Sequence, residues 1–183
     1  MFIKIKDLEL RNLEFDESFA PGVIDLGEDQ VQTAPLKTSG RAELIRENRG
    51  AREIVEDIRF VGGFSTEIQL RCARCLDPVD NKIAEKFDLL YRPLGADTRG
   101  DEVAITEADT EIGYYQGEGL LLEDVLKEQV LLALPAKQLC QPNCKGLCPQ
   151  CGKNLNLESC DCVNVMPDPR WSALEDIRKK LER

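Results

Sequence analysis

Ile58-Arg59-Phe60-Val61-Gly62-Gly63-Phe64-Ser65-Thr66-Glu67-Ile68-Gln69-Leu70 is the stretch on which the fold turns. Apolar side chains alternate at 58 and 60 and resume at 64, 68 and 70, the period of a strand with one buried face. Gly62-Gly63 separates the two runs. Because both positions tolerate positive φ, the pair predicts a hairpin turn. Around 82–92, Phe87, Leu89 and Tyr91 again share a face, so an antiparallel meander of three strands is expected: one before the glycines, one after them and one near 82–92.

Working outward, residues 2–16 read as extended, with Ile3 and Ile5 on one face, and 27–40 is rich in Gly, Asp, Pro, Thr and Ser and reads as loop. Residues 94–119 lack a sustained apolar face and read as an exposed acidic stretch with room for short strands at 102–106 and 112–115. From Leu121 to Leu134, apolar residues at 122, 126, 130 and 134, flanked by 121, 125 and 132, predict a helix with a wide buried face. Glu118, Glu123 and Asp124 suit its N-terminal dipole, Pro135 stops it, and Glu123 with Lys127 forms an i,i+4 pair. Asp168 as N-cap and Pro169 in the first turn predict a last helix carrying Trp171, Leu174, Ile177 and Leu181 on one stripe. The expectation is an α+β fold: an antiparallel sheet or partial β-barrel in 1–93, a packed helix near 119–134, a stretch at 136–163 whose six closely spaced cysteines have the look of a zinc-knuckle segment, and a terminal helix. Divided by domain, 1–135 is the β-rich part ending in its helix, and 136–183 is a zinc-binding segment and terminal helix packed on the same core.

The chain has 183 residues, 42% apolar and 32% charged, enough for one real core but not comfortably for two. The N-terminal residues alternate apolar and charged, and no run reaches the length of a signal h-region or membrane span, so a cytoplasmic protein is expected. Against 24 Lys and Arg stand 34 Asp and Glu, a formal charge of -10. Each Zn(Cys)4 site would add about -2, taking the total to about -14 and repelling nucleic acid and anionic membranes except through local contacts. Histidine is absent. That removes His-dependent triads, His-zinc catalytic sites and the histidine of zinc deaminases.

The eight cysteines fall in pairs: Cys72 and Cys75, Cys140 and Cys144, Cys148 and Cys151, Cys160 and Cys162. In a reducing compartment such pairs point to metal rather than disulfides. Cys148-Pro149-Gln150-Cys151-Gly152 has the form of a zinc knuckle, a tight turn aiming two thiolates at one ion, and Cys160 with Cys162 can close its tetrahedron. Cys72-Ala73-Arg74-Cys75 lies between two strands and takes Cys140 and Cys144 as the remaining partners. Two zinc ions per chain are expected, one a long-range staple and one local. Cys144 and Cys148 are close enough in sequence to exchange places, so spacing favours this division without fixing it. All-thiolate coordination leaves no open position for water or substrate. An iron-sulfur centre is the less fitting alternative for the knuckles, and a redox C-x-x-C for Cys72 and Cys75 is disfavoured by flanking strands where a redox motif opens a helix.

Cys72-Ala73-Arg74-Cys75-Leu76, Leu132-Ala133-Leu134-Pro135, the run from Cys144-Lys145-Gly146-Leu147-Cys148 through Lys153-Asn154-Leu155-Asn156, the closing Cys160-Asp161-Cys162 and Asp168-Pro169-Arg170-Trp171 together resemble the YceD family. The resemblance covers roughly residues 40–180 and implies a part in accumulation or processing of 23S ribosomal RNA and in large-subunit assembly.

The leading expectation is therefore a non-catalytic factor that contacts precursor 23S ribosomal RNA or large-subunit ribosomal proteins, with no membrane and no small-molecule substrate. Candidate phosphate contacts are Arg41, Arg46, Arg49, Arg52, Arg71, Arg74, Lys145 and Lys153. Glu43 and Glu47 interleave the first four, which fits a salt-bridged solvated face as well as it fits RNA. Trp171 and Tyr91 could stack on bases but at their spacing suit a core. The alternative is an adaptor whose acidic surface, for instance 97–111, binds basic ribosomal proteins. Glu102, Glu107, Asp109 and Glu111 could collect magnesium, yet no nucleophile and base stand together, so no enzyme is expected.

Overall fold

The computed structural model describes residues 1–50, 53–96 and 112–162. In chain order the elements are β1 (Phe2–Lys4), α1 (Ile5–Leu8), β2 (Leu13–Phe19), β3 (Val31–Gln32) and β4 (Leu36–Gly50). There follow β5 (Glu53–Arg71), β6 (Pro78–Pro93), β7 (Ile112–Tyr115), β8 (Gly119–Leu121) and α2 (Leu122–Ala133). The predicted strand at 102–106 and the last helix lie outside the described residues.

The described chain is mostly sheet. One open sheet has the strand order β2-β4-β5-β6-β7, with β3 also on β5, and β1 pairs β8 in a separate two-stranded ribbon. The α+β expectation therefore holds only coarsely: among the described residues helices are few, and the sheet stays open instead of closing into a barrel. β4, β5 and β6 form an antiparallel meander, but not the expected one, since the two strands predicted on either side of Gly62-Gly63 are both β5; β7 joins β6 in parallel.

Gly62-Gly63 is not a turn. β5 runs straight through both glycines, and the hairpin joining β4 to β5 comes where Gly50 opposes Glu53. Gly40 stands opposite Gly62, and the two strands approach so closely that a Cβ on Gly40 would lie 2.4 Å from the Val61 carbonyl oxygen. A Cβ on Gly62 would lie 2.6 Å from that of Ser39. The glycines serve strand crossing, a role whose local signature resembles that of a turn.

The loop expected at 27–40 also gives way to strand from Leu36. Its polar residues are absorbed by the sheet: Thr38 is buried and donates to the Gly63 carbonyl at 2.9 Å, and Gln32 donates to the Ala34 carbonyl at 2.9 Å. Near the N-terminus the extended segment is interrupted, since Ile5 opens the single turn of α1.

Helix α2 turns Leu122, Val125, Leu126 and Val130 into the core that also holds Ile3, Leu36, Ile58, Phe60, Phe64 and Ile68. Burying each such side chain contributes roughly 1.5–3 kcal/mol. Tyr91 belongs to this core, edge-on to Phe60 at 5.7 Å, with its hydroxyl donating to Glu128, so it offers no face for a base. The expected Glu123–Lys127 pair is not formed. Glu123 is taken by the N-terminal ammonium, and the Lys127 ammonium stands 3.9 Å from Asp25. Among the described residues no helix is long and apolar enough to cross a membrane.

Candidate metal centres

Two loops supply the first cluster. β5 and β6 pair to their ends, Arg71 opposite Pro78, so the six residues between them form a short connection fixed by the sheet. Within it the Cys72 N–H donates to the Asp77 carbonyl at 2.8 Å and the Leu76 N–H to the Cys72 carbonyl at 3.0 Å. That turn requires Leu76 to adopt φ 63°. Pro135 ends α2, and the chain beyond it lies against this turn, with the Ala73 N–H donating to the Gln138 carbonyl at 2.8 Å.

Cys140 and Cys144 thereby arrive beside Cys72 and Cys75, the four sulfurs all within 4.8 Å of one another. The Sγ atoms of Cys72 and Cys144 are 3.8 Å apart and those of Cys75 and Cys140 3.5 Å apart. A zinc ion bound tetrahedrally at about 2.3 Å sets its sulfurs about 3.8 Å apart, so the donor set fits one such ion. Separate irons of a multi-iron cluster would hold the thiolates further apart. Cys72, Cys75 and Cys144 are buried with Val79, Leu139 and Leu147 around them, and Cys140 is exposed.

Backbone amides prepare the sulfurs for charge. Hydrogen bonding from the backbone at Cys75 and Arg74, with the Cys140 N–H at 3.4 Å, lowers the Cys72 thiol to about 6. At Cys144 burial acts in the opposite direction, but the Asn156 side chain and the Gly146 backbone prevail and hold it below the ordinary thiol value. Burial raises Cys75 and Cys140.

The second cluster, Cys148, Cys151, Cys160 and Cys162, also places its sulfurs within 4.8 Å of one another. Its knuckle repeats the first: the Gly152 N–H donates to the Cys148 carbonyl at 2.9 Å with φ 74° at Gly152, and the Cys151 and Gln150 amides lower Cys148 to about 6. Cys162, beside Cys151, is pushed up to about 12. Only Cys148 is buried; Cys151 is exposed and Cys160 and Cys162 are half-buried. All eight thiols are free of disulfides.

Residues 61–178 match the family described as large ribosomal RNA subunit accumulation protein YceD. The chain belongs to the YceD family. The match spans well over half the chain and contains both cysteine clusters. An uncharacterized protein of Mycobacterium tuberculosis is 33% identical over 143 residues, covering 74% of this chain and 66% of that protein, just under two thirds of its length. The Bacillus subtilis protein YlbN is 26% identical over 97% of this chain and 94% of its own. The chloroplastic large ribosomal RNA subunit accumulation protein YCED homolog 1 of Arabidopsis thaliana is 25% identical over 69% of this chain and 46% of its own. No solved structure matches.

The YceD match leaves out Arg41, Arg46, Arg49 and Arg52, and the geometry gives the candidate basic residues unequal standing. The Arg41 guanidinium lies 3.5 Å from Glu43, and Arg46 pairs with Glu9 at 3.0 Å and Glu56 at 3.1 Å. Arg74 donates to the Cys144 carbonyl at 2.7 Å and so braces the first cluster, while Lys153 pairs with Glu158 at 3.1 Å. Arg71 and Lys145, on either side of that cluster, are exposed and have no side-chain partner among the described residues. The Arg49 side chain, Arg52, Trp171, Glu102, Glu107, Asp109 and Glu111 lie outside what is described.

Spacing arguments missed the residues that join the two clusters of this YceD protein. Asn154 donates to the Asp77 carboxylate at 3.0 Å, the Leu155 N–H donates to the Gly146 carbonyl at 2.9 Å, and Asn156 reaches Cys144. The one available signal was the Asn-x-Asn spacing inside the cysteine-rich segment, since Asn side chains commonly bond nearby backbone.

Proposed function

We propose that this chain is a zinc-binding, non-catalytic factor that promotes accumulation and processing of 23S ribosomal RNA and assembly of the large ribosomal subunit in the cytoplasm. The observation that carries the reading is a pair of four-thiol clusters of single-ion dimensions in a chain of the YceD family. Zinc suits them because soft thiolates in tetrahedral array favour it and four protein ligands leave nothing open for chemistry. A redox role for Cys72 and Cys75 is opposed by burial: Cys72 is 0% exposed, so an external disulfide has no path to its low-pKa sulfur. The Arabidopsis and maize relatives carry the name large ribosomal RNA subunit accumulation protein, which supports the ribosomal assignment. RNA contact is assigned to Arg71 and Lys145 beside the first cluster.

The test is rapid depletion, followed by the ratio of large- to small-subunit ribosomal RNA with precursor ends mapped. A fall in large-subunit RNA before growth slows is expected, and an unchanged ratio refutes the assignment. Elemental analysis of the purified chain, expected to give two zinc ions, tests the metal separately.

A second reading is an adaptor that binds basic ribosomal proteins and touches no RNA. It is favoured by the -10 charge and by the occupation of Arg41, Arg46, Arg74 and Lys153 with partners inside the protein. Salt-sensitive capture of RNA-free ribosomal protein, with Arg71→Glu and Lys145→Glu leaving it intact, would favour the adaptor.

A further inference from the structure

Asn156 lies between Cys151 and Cys160, in the loop closed by the second cluster, yet its side chain belongs to the first. Its Oδ1 accepts from the Lys145 backbone N–H at 2.8 Å. A backbone N–H can only donate, so this bond fixes which end of the amide is oxygen and turns Nδ2 the other way. Nδ2 then donates to the Cys144 sulfur at 3.3 Å and to Asn154 Oδ1 at 2.9 Å. Asn154 Oδ1 also accepts from the Asn156 N–H at 3.0 Å, and Gln141 donates to Asn156 Oδ1 at 3.3 Å. The side chain is thus held at both ends and aimed at one ligand sulfur.

We propose that Asn156 is the positioning residue through which the two clusters load cooperatively, with the second metal fixing the loop that supplies a hydrogen bond to a thiolate of the first. This rests on the metal-binding reading above. An N–H donated to a ligand thiolate disperses its negative charge, and loss of such an outer contact typically lowers metal affinity about 10–100-fold. Opening the second cluster frees residues 148–162 and withdraws the donor, so the first metal is weakened without any change in its own four ligands. Linkage makes the effect mutual: whatever factor the second metal contributes to the first, the first returns to the second.

The experiment is cobalt(II) titration of the full chain under reducing conditions, in wild type and in single-cluster variants Cys151→Ser and Cys75→Ser. The coupling factor is the product of the two wild-type affinities divided by the product of the single-cluster affinities. It is expected at about tenfold or more in wild type and close to one when Asn156→Ala is added throughout. Asn156→Asp is the second variant. It keeps the oxygen that accepts from the Lys145 N–H, and so the loop's anchor, but replaces the donor with a charge facing the sulfur. It should lose the coupling as Asn156→Ala does.

Both Asn156 variants should also move the thiolate-to-cobalt charge-transfer bands of one site to longer wavelength, because a sulfur without its N–H donor gives up electron density more easily. A coupling factor near one in wild type, or one that survives both Asn156 variants, overturns the inference while leaving two metal sites in place. Failure of the wild-type chain to take up cobalt at either cluster overturns it together with the metal reading.

Discussion

Both knuckles close with the same bond, from the N–H of the residue after the second cysteine to the carbonyl of the first, at 3.0 Å in one and 2.9 Å in the other. Both bring the first cysteine, Cys72 or Cys148, to about 6. They differ in what surrounds them. The first grows from the paired ends of β5 and β6, takes its other two cysteines from the chain beyond α2, and has three of its four cysteines buried. The second draws all four cysteines from 15 consecutive residues, Cys148 to Cys162, and buries one. One turn therefore serves as a junction of the main body in one place and as a local clasp in the other.

The largest expected effect exposes that difference directly. Cys75→Ser should remove one metal and loosen the β5–β6 connection together with the segment after α2, lowering Tm by on the order of 10 °C. Cys151→Ser should remove one metal and free residues 148–162, while amide exchange in β4, β5 and β6 stays at wild-type rates. Metal content, calorimetry and site-resolved hydrogen exchange read the two outcomes. If both variants lose sheet protection equally, the contrast is wrong.

Next in size is the order of metal loss. A chelator should strip the exposed second cluster at least about tenfold faster than the first, seen as two phases of release of which Cys151→Ser removes the faster.

Acid should then weaken both clusters in the same way. At pH 7 Cys72 and Cys148 are already thiolates, whereas Cys75, Cys140 and Cys162 are raised and shed protons on binding. Affinity at both clusters therefore rises with pH through neutrality. As pH falls through about 6, Cys72 and Cys148 take up protons and each cluster's loss of affinity steepens by about one further power of ten per pH unit. Metal affinity measured by chelator competition from pH 5 to 8 gives the slopes.

The smallest effect concerns the turn itself. Gly152 occupies its left-handed conformation freely, but Leu76 holds φ 63° and is 53% exposed, so packing offsets little of the cost. Leu76→Gly should stabilise by about 1 kcal/mol and raise Tm by roughly 2–4 °C, and Gly152→Ala should weaken the second knuckle by a similar amount. No change at Leu76 would mean that its side chain contributes to stability by contacts beyond those described.

The knuckles and α2 were legible because each signal is local: two cysteines in one turn, or apolar residues recurring over three turns. The strands were less legible where one residue type serves two purposes. Gly62-Gly63 carries the composition of a hairpin, and only Gly40, more than 20 positions earlier, reveals a crossing of strands. Thr38 and Gln32 look like loop residues until their partners, Gly63 and Ala34, are known. Asn156 could not be assigned from sequence, because its acceptor role toward Lys145 and its donor role toward Cys144 exist only once two loops have met.

The first cluster also imposes a timetable on the growing chain. Cys75 and its neighbour Cys140 are separated by 65 positions. At roughly 5–20 residues per second, the ribosome takes about 3–13 s to make that interval. For those seconds the emerging meander carries two ligands with no companions. Only after α2 and the turn beyond Pro135 have been made does the site have four. A metal ion held there would therefore act late, after the strands it ties together have been made, and a chain stalled before residue 144 leaves the ribosome with its first cysteine pair still unclaimed.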